Sequence, residues 1–232
     1  MKPWELLGQT SAPGGSDMRL SRRDNEYVIW VNGKPLMSSR MHGSEEALAM
    51  AGCAHLCADS RPRVLVGGLG MGYTLRATLD LLPLDAVVIV AELVPAVIEW
   101  NRGPLGALAG DPLKDRRVRI AVEDVGFTLR ANTGKFDAVL FDVDNGPAAF
   151  TSALNAGLYD NAGVAAAYDA LKPGGAFAVW SAWDDRKFEQ RLKYHGFSAR
   201  ADRVRARLTK GGMHHTIFLG MKDTVPDQGV GR

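Results

Sequence analysis

The chain has little that could staple or anchor it. Its 232 residues include only two cysteines, too few to cross-link a fold of this size, as befits a reducing compartment. No apolar run approaches the 18 or so residues that a membrane helix needs. The opening Met1-Lys2-Pro3-Trp4-Glu5 leads into polar, Gly-rich sequence and not into the apolar stretch of a secretory signal. Charge bias is also scarce: 28 Lys and Arg face 26 Asp and Glu, a formal net charge of +2. That balance argues against a nucleic-acid coat or a polybasic membrane protein. Hydrophobic residues, in contrast, make up 46% of the chain and charged residues 23%, which excludes global disorder. The expectation is a cytoplasmic globular protein of one domain plus some trimming, without membrane or nucleic-acid partners.

The first 17 residues read as irregular, with Pro13-Gly14-Gly15-Ser16 as a breaker cluster. From Met18 to Met37 the chain turns β-rich, and Asn32-Gly33 after Glu26-Tyr27-Val28-Ile29-Trp30-Val31 is a strong hairpin signal. A small β-meander is expected in residues 1–43. Ser44-Glu45-Glu46 opens an Ala-rich helix to about Ala58, with Ser44 as its cap and the glutamates at the positive end of its dipole. Strands at 64–66, 86–91, 117–122, 137–141 and 176–180 then alternate with helices at 73–82, 94–100, 125–131, 161–171 and 184–194. Two closing strands, 199–208 and 215–221, flank Lys210-Gly211-Gly212. The run Ala86–Ala91 is wholly apolar, as a strand covered on both faces should be. Five βα alternations and a terminal hairpin imply a doubly wound, mostly parallel sheet with an antiparallel edge over residues 44–222. Residues 223–232 read as a frayed tail.

Between the first buried strand and its helix lies Gly67-Gly68-Leu69-Gly70-Met71-Gly72. Glycines there let the backbone turn sharply and approach a ligand, and the helix beyond offers unpaired N–H groups. Glu92 ends the second strand, 20 residues past Gly72, where a carboxylate can accept both hydroxyls of a ribose. The glycines at 68, 70 and 72 give G-x-G-x-G, not the G-x-G-x-x-G of a dinucleotide fingerprint. Glu123-Asp124 follows the third strand, where an S-adenosyl site bonds the adenine amino group. With Leu171-Lys172-Pro173-Gly174-Gly175 before the fifth strand and the closing hairpin, the pattern favours an S-adenosyl nucleoside over NAD. The candidate nucleoside residues are Gly68, Gly70, Gly72, Glu92, Glu123 and Asp124.

From about Met18 to Met221 the chain resembles the spermidine synthase family. The residues that carry the likeness are Val31-Asn32-Gly33-Lys34-Pro35-Leu36-Met37, the glycine loop, Glu92, Glu123-Asp124 and Phe136-Asp137-Ala138-Val139-Leu140-Phe141-Asp142-Val143-Asp144. The resemblance implies a Rossmann-like class I methyltransferase fold, with a seven-stranded sheet behind a small β-domain. It implies aminopropyl transfer from decarboxylated S-adenosylmethionine to a diamine, leaving methylthioadenosine, and a homo-oligomer such as a dimer. It places Glu92 on the ribose, Asp124 on the adenine and Asp142 as the catalytic aspartate. The sequence also departs from the family. Its loop is usually Gly-Gly-Gly-Asp-Gly-Gly, the aspartate holding the aminopropyl amine; here Leu69, Gly70 and Met71 offer no carboxylate. Met41-His42-Gly43-Ser44-Glu45-Glu46 matches the family's Tyr-His-Glu signature poorly, and Asp142-Val143-Asp144-Asn145-Gly146-Pro147 is a shortened Asp-Ser-Ser-Asp-Pro.

Transfer from a sulfonium needs alignment and a neutral nucleophile, not an acid. Asp142, at the carboxyl end of a central strand, is the candidate base or cation orienter, with Asp144 on the same face. Because the loop carboxylate is missing, the reading leans to S-adenosylmethionine-dependent methyl transfer to a small acceptor such as an amine, with S-adenosylhomocysteine as product. Aminopropyl transfer is the close alternative, and a nucleoside-binding protein without catalysis a further one.

No metal site is expected. Cys53 and Cys57 share a helix face, but His55 points elsewhere and nothing completes four ligands. His214 and His215 fall on opposite faces of a strand and read as surface and edge packing. From Arg186 to Lys222 ten Lys or Arg face two Asp or Glu, which reads as a solvated edge strand guarded by charge.

Overall fold

The computed structural model describes residues 2–12, 14–56, 61–143, 146–147, 156–207 and 213–224. The chain begins with a four-stranded antiparallel meander, β1 (Glu5–Ala12), β2 (Ser16–Arg23), β3 (Glu26–Val31) and β4 (Lys34–Ser38), paired in sequence order. Asn32 and Gly33 both take positive φ, 49° and 76°, as the tight β3–β4 turn requires. The expectation of an irregular start is corrected, because β1 is a strand. Its sequence ELLGQTSA has no strong β pattern, but β2 supplies a full register from Glu5↔Arg22 to Ala12↔Ser16, and tertiary pairing overrides propensity. The ladder slips between Leu6 and Gly8, and Gly8 lies against Trp100 so closely that any side chain there would collide with it.

Next come α1 (Gly43–Cys53), β5 (Arg63–Gly67), α2 (Tyr73–Leu81), β6 (Val87–Ala91), α3 (Pro95–Arg102), β7 (Val118–Ala121), α4 (Val125–Arg130), β8 (Phe136–Phe141), α5 (Ala156–Tyr159), α6 (Asn161–Ala170), β9 (Leu171–Ser181), α7 (Arg186–Tyr194), β10 (Phe197–Arg205) and β11 (His214–Lys222). The seven strands of the main sheet run β10-β11-β9-β8-β5-β6-β7. β9, β8, β5, β6 and β7 are parallel neighbours; β11 and β10 close the edge antiparallel. The strand order reverses between β5 and β8, so the crevice for a ligand opens at their carboxyl ends.

The alternation along each central strand explains why these segments are apolar throughout. Val64, Val66, Ala138 and Leu140 pack under α1, α2 and α3, and Met18, Leu20 and Ile29 of the meander join that cluster. Leu65, Val139, Phe141 and Phe177 face α4, α6 and α7. Both faces are covered, as in other parallel sheets. β9 starts five residues earlier than the expected 176, running through Pro173-Gly174-Gly175 with a register shift opposite β8. β10 is the outer edge of the sheet, and Arg203 and Arg205 are exposed on it. No helix among the described residues is long and apolar enough to cross a membrane.

Candidate functional site

A cavity of about 430 Å³ lies between the meander and the carboxyl ends of the parallel strands, within the usual range for small-molecule sites. Its walls include Met18, Ile29 and Met37 from the meander, Gly68 and Gly70 from the loop after β5, Glu92 after β6, Glu123 and Asp124 after β7, and Asp142 after β8. Of the residues singled out in the sequence, all but Gly72 and Asp144 line this space. Gly72 stands at the start of α2, and Asp144 lies outside the described residues.

The glycine loop follows from backbone chemistry. Gly68, Gly70 and Gly72 all have positive φ, 85°, 50° and 83°, where L side chains are strained. A Cβ on Gly68 would strike the carbonyl oxygen of Asp142. A Cβ on Gly70 would come within 3.1 Å of the Met37 sulfur, so the meander fills the space where a carboxylate-bearing residue would stand. Buried Asn101, which sequence reading missed, latches the loop by donating its Nδ2–H to the Gly70 carbonyl at 2.9 Å.

Glu92 is buried, and backbone donors hold both its oxygens. Leu69 N–H donates to Oε2 at 2.9 Å and Val94 N–H to Oε1 at 2.7 Å. A buried carboxylate in the cavity wall is an acceptor of the kind that a diol binds. Asp124 caps α4, its Oδ1 accepting from Gly126 N–H at 2.8 Å. Glu123 Oε1 accepts from the Thr128 hydroxyl at 2.7 Å.

Asp142 is held differently, by groups that are not part of the cavity lining. The Thr74 hydroxyl, on α2, donates to Asp142 Oδ2 at 2.6 Å. Glu45, in the first turn of α1, is 5% exposed, and the Ser44 hydroxyl donates to its Oε2 at 2.6 Å. Burial pushes the Glu45 carboxyl up to about 8, and the Asp142 charge pushes the same way. Burial also raises Asp142, to about 6, against the lowering effect of the Thr74 bond. Among the described residues no cation pairs with either carboxylate. A site of this kind can take a proton from a bound group near neutral pH, and its charge suits a cationic ligand.

Two expectations for this region are corrected. Ser44 is not the cap of α1: the helix starts at Gly43, with His42 before it and no side-chain bond at the cap. The Ser44 hydroxyl turns inward to Glu45 instead. His215 is not merely edge packing. Its Nδ1 stands 2.9 Å from Ser44 Oγ, and its ring meets Trp180 edge-on at 4.6 Å. Cys53 is buried and unbridged, and burial pushes its thiol up to about 12, so it behaves as an apolar core residue. Cys57 lies outside the described residues.

A family model for the spermine/spermidine synthase domain matches residues 43–191. The chain belongs to that family. Spermidine synthases also share its fold. One, in complex with the transition-state analogue AdoDATO, superposes with a TM-score of 0.73 at 19% identity, over 96% of this chain and 74% of that one. The enzyme from Thermotoga maritima gives 0.72 at 18%, with the same coverage. A probable spermidine synthase from Corynebacterium glutamicum ATCC 13032 gives 0.67 at 18%, over 95% and 81%. No curated protein sequence matches the chain. Family membership makes the protein a transferase of the S-adenosyl-nucleoside class. The lean towards methyl transfer finds no support in these matches, and the aminopropyl alternative fits them better.

Proposed function

We propose that this spermidine-synthase-family protein is an aminopropyltransferase, taking decarboxylated S-adenosylmethionine as donor and a small amine as acceptor. The observation that carries the reading is the placement of Asp142: in the cavity wall, at the carboxyl end of β8, with a second buried carboxylate, Glu45, in its field. An acceptor amine arrives as an ammonium, and two carboxylates with no paired cation among the described residues attract it. The cavity, the glycine cradle and the buried carboxylate of Glu92 fit a nucleoside with a diol. Under this reading Glu92 takes the ribose hydroxyls, and Asp124, with Glu123 beside it, faces the adenine.

The chemistry is an in-line displacement. The amine must lose a proton to expose its lone pair, and Asp142, its basicity raised by burial, accepts it. The new C–N bond forms as the C–S bond breaks, and the sulfur leaves as the neutral thioether of methylthioadenosine, so no acid is needed. The enzyme's share is alignment and proton removal. Methylthioadenosine is the expected product when purified protein is incubated with decarboxylated S-adenosylmethionine and 1,4-diaminobutane. The decarboxylated donor is expected to bind more tightly than S-adenosylmethionine in calorimetry. The reverse affinity order together with a methylated product would restore the methyl-transfer reading.

A further inference from the structure

His215 is joined to the acidic end of the site by an unbroken line of hydrogen bonds. The first turn of α1 is fixed on the hairpin side of the sheet, where Gly43 N–H donates to the Ala206 carbonyl at 3.0 Å. That placement buries Ser44 completely and Glu45 almost so. Ser44 Oγ lies 2.6 Å from Glu45 Oε2 and 2.9 Å from His215 Nδ1. A hydroxyl has a single proton. While Ser44 donates to an ionised Glu45, it can only accept from His215, so the ring must carry its proton on Nδ1. Burial and the neighbouring His214 lower the His215 pKa, which keeps the ring neutral. When Glu45 is protonated the line can run the other way, from carboxyl to hydroxyl to Nδ1.

The groups that face Glu45 are few. Asp142 opposes it from the end of β8, and Glu46 lies beside it on α1; both charges work against its ionisation. Tyr73 on α2 feels Glu45 and Glu46 in turn, and His42, stacked on Tyr73 at 4.3 Å, is bonded to Glu46 at 2.8 Å. Among the described residues, only the Ser44–His215 line favours the charged form from another element.

We propose that His215 is a positioning residue: through Ser44 it supplies the hydrogen bond that favours ionised Glu45 against burial, so that Glu45 gives up its proton at a lower pH than it would without that line. The role rests on the aminopropyltransferase reading for its meaning, but not for its measurement. No covalent bond changes: an ionised Glu45 draws Ser44 O–H, Ser44 draws Nδ1–H of His215, and for the ring to stay neutral a proton that passes from Glu45 through Ser44 to Nδ1 must be matched by loss of the Nε2 proton to solvent.

The test reads one ionisation in two ways. Melting temperature against pH needs no substrate, and kcat/KM for the amine against pH needs turnover. Ser44→Ala and His215→Phe remove a donor to the ionised form, so the Glu45 limb should move about one pH unit to the alkaline side in both profiles. His215→Asn keeps a donor and should bring the limb back. Glu45→Gln should abolish it. Methylthioadenosine affinity should stay put in all four, which a general disturbance of the fold would not allow. Profiles of His215→Phe that overlay those of the wild type would overturn the proposal, as would a failure of His215→Asn to restore the limb. Absence of aminopropyl transfer in the wild type, with the melting profiles still shifting as described, would instead overturn the function and leave the His215 line standing.

Discussion

The two ends of the crevice both present carboxylates, and they hold them in opposite ways. At the proposed nucleoside end, Glu92 takes two backbone N–H bonds and Asp124 takes one. Backbone donors are fixed by the fold and favour the ionised form. That end is already organised for neutral hydroxyl and amino donors before anything binds. At the proposed acceptor end, buried Glu45 and half-buried Asp142 each accept one hydroxyl bond, Glu45 lies in the field of Asp142, and among the described residues no cation pairs with either. Those groups resist ionising together until positive charge arrives. The contrast suggests a division of labour: geometry recognises the uncharged part of the substrate pair, and unrelieved charge recognises the cation.

Asp142→Asn should break the acceptor end most completely. Aminopropyl turnover should fall about 10²–10⁴-fold, the usual share of a positioned base, while calorimetry with methylthioadenosine shows unchanged affinity. Equal losses in both measurements would erase the distinction between the ends. Glu92→Gln attacks the other side. It turns an amide N–H₂ towards a backbone N–H or a ribose hydroxyl, and nucleoside affinity should fall roughly 10–100-fold, as for a lost bond to a charged group. The rate at saturating donor should change less.

Stability against pH sharpens the comparison without any ligand. A carboxyl whose folded pKa lies above its unfolded value binds an extra proton when folded, so its contribution is complete at low pH and is lost as pH rises through the folded pKa. Glu45 and Asp142 both have this sign. Asp115, held low by its Arg117 bond, has the opposite sign, but its contribution is already complete above the ordinary carboxylate range. His215 is lowered, so its effect is confined below about 6.5. Urea unfolding should therefore show stability falling between pH 6.5 and 8.5, by on the order of 1 kcal/mol or more. Glu45→Gln should flatten that slope; an equally steep decline in the variant would remove Glu45 as its source. The smallest effect belongs to Asp124→Ala, which should cost about 1 kcal/mol through loss of the α4 cap, or roughly 2–4 °C in melting temperature. Asp124→Ser should recover the melting temperature, because a serine can cap, but not the affinity for an adenine nucleoside.

Much of this was legible in the residues. Apolar runs such as Ala86–Ala91 marked the parallel strands, because strands covered on both faces have no polar positions. Asn32-Gly33 marked its turn, because few residue pairs accept two positive φ values. The glycine loop, Glu92 and Asp124 were legible because each acts next to its own strand end, at a fixed offset along the chain. β1 was missed because ELLGQTSA takes its conformation from β2 and not from its own propensities. Glu45 and His215 were missed for a related reason. Ser44-Glu45-Glu46 has the composition of an exposed helix start, and nothing local says that the turn is buried. His215 is 171 residues from Ser44, and no spacing rule reaches so far.

The amino-acid order by itself determined the alternation of strands and helices, the glycine cradle, and the carboxylates at the strand ends, since these depend on contacts between near neighbours. Tertiary structure alone decided where the unpaired charge collects. Packing α1 against the sheet brought Glu45 beside Asp142 and Ser44 beside His215, and burial, a property of the assembled fold and not of any segment, turned ordinary carboxyls into groups that hold protons near neutral pH.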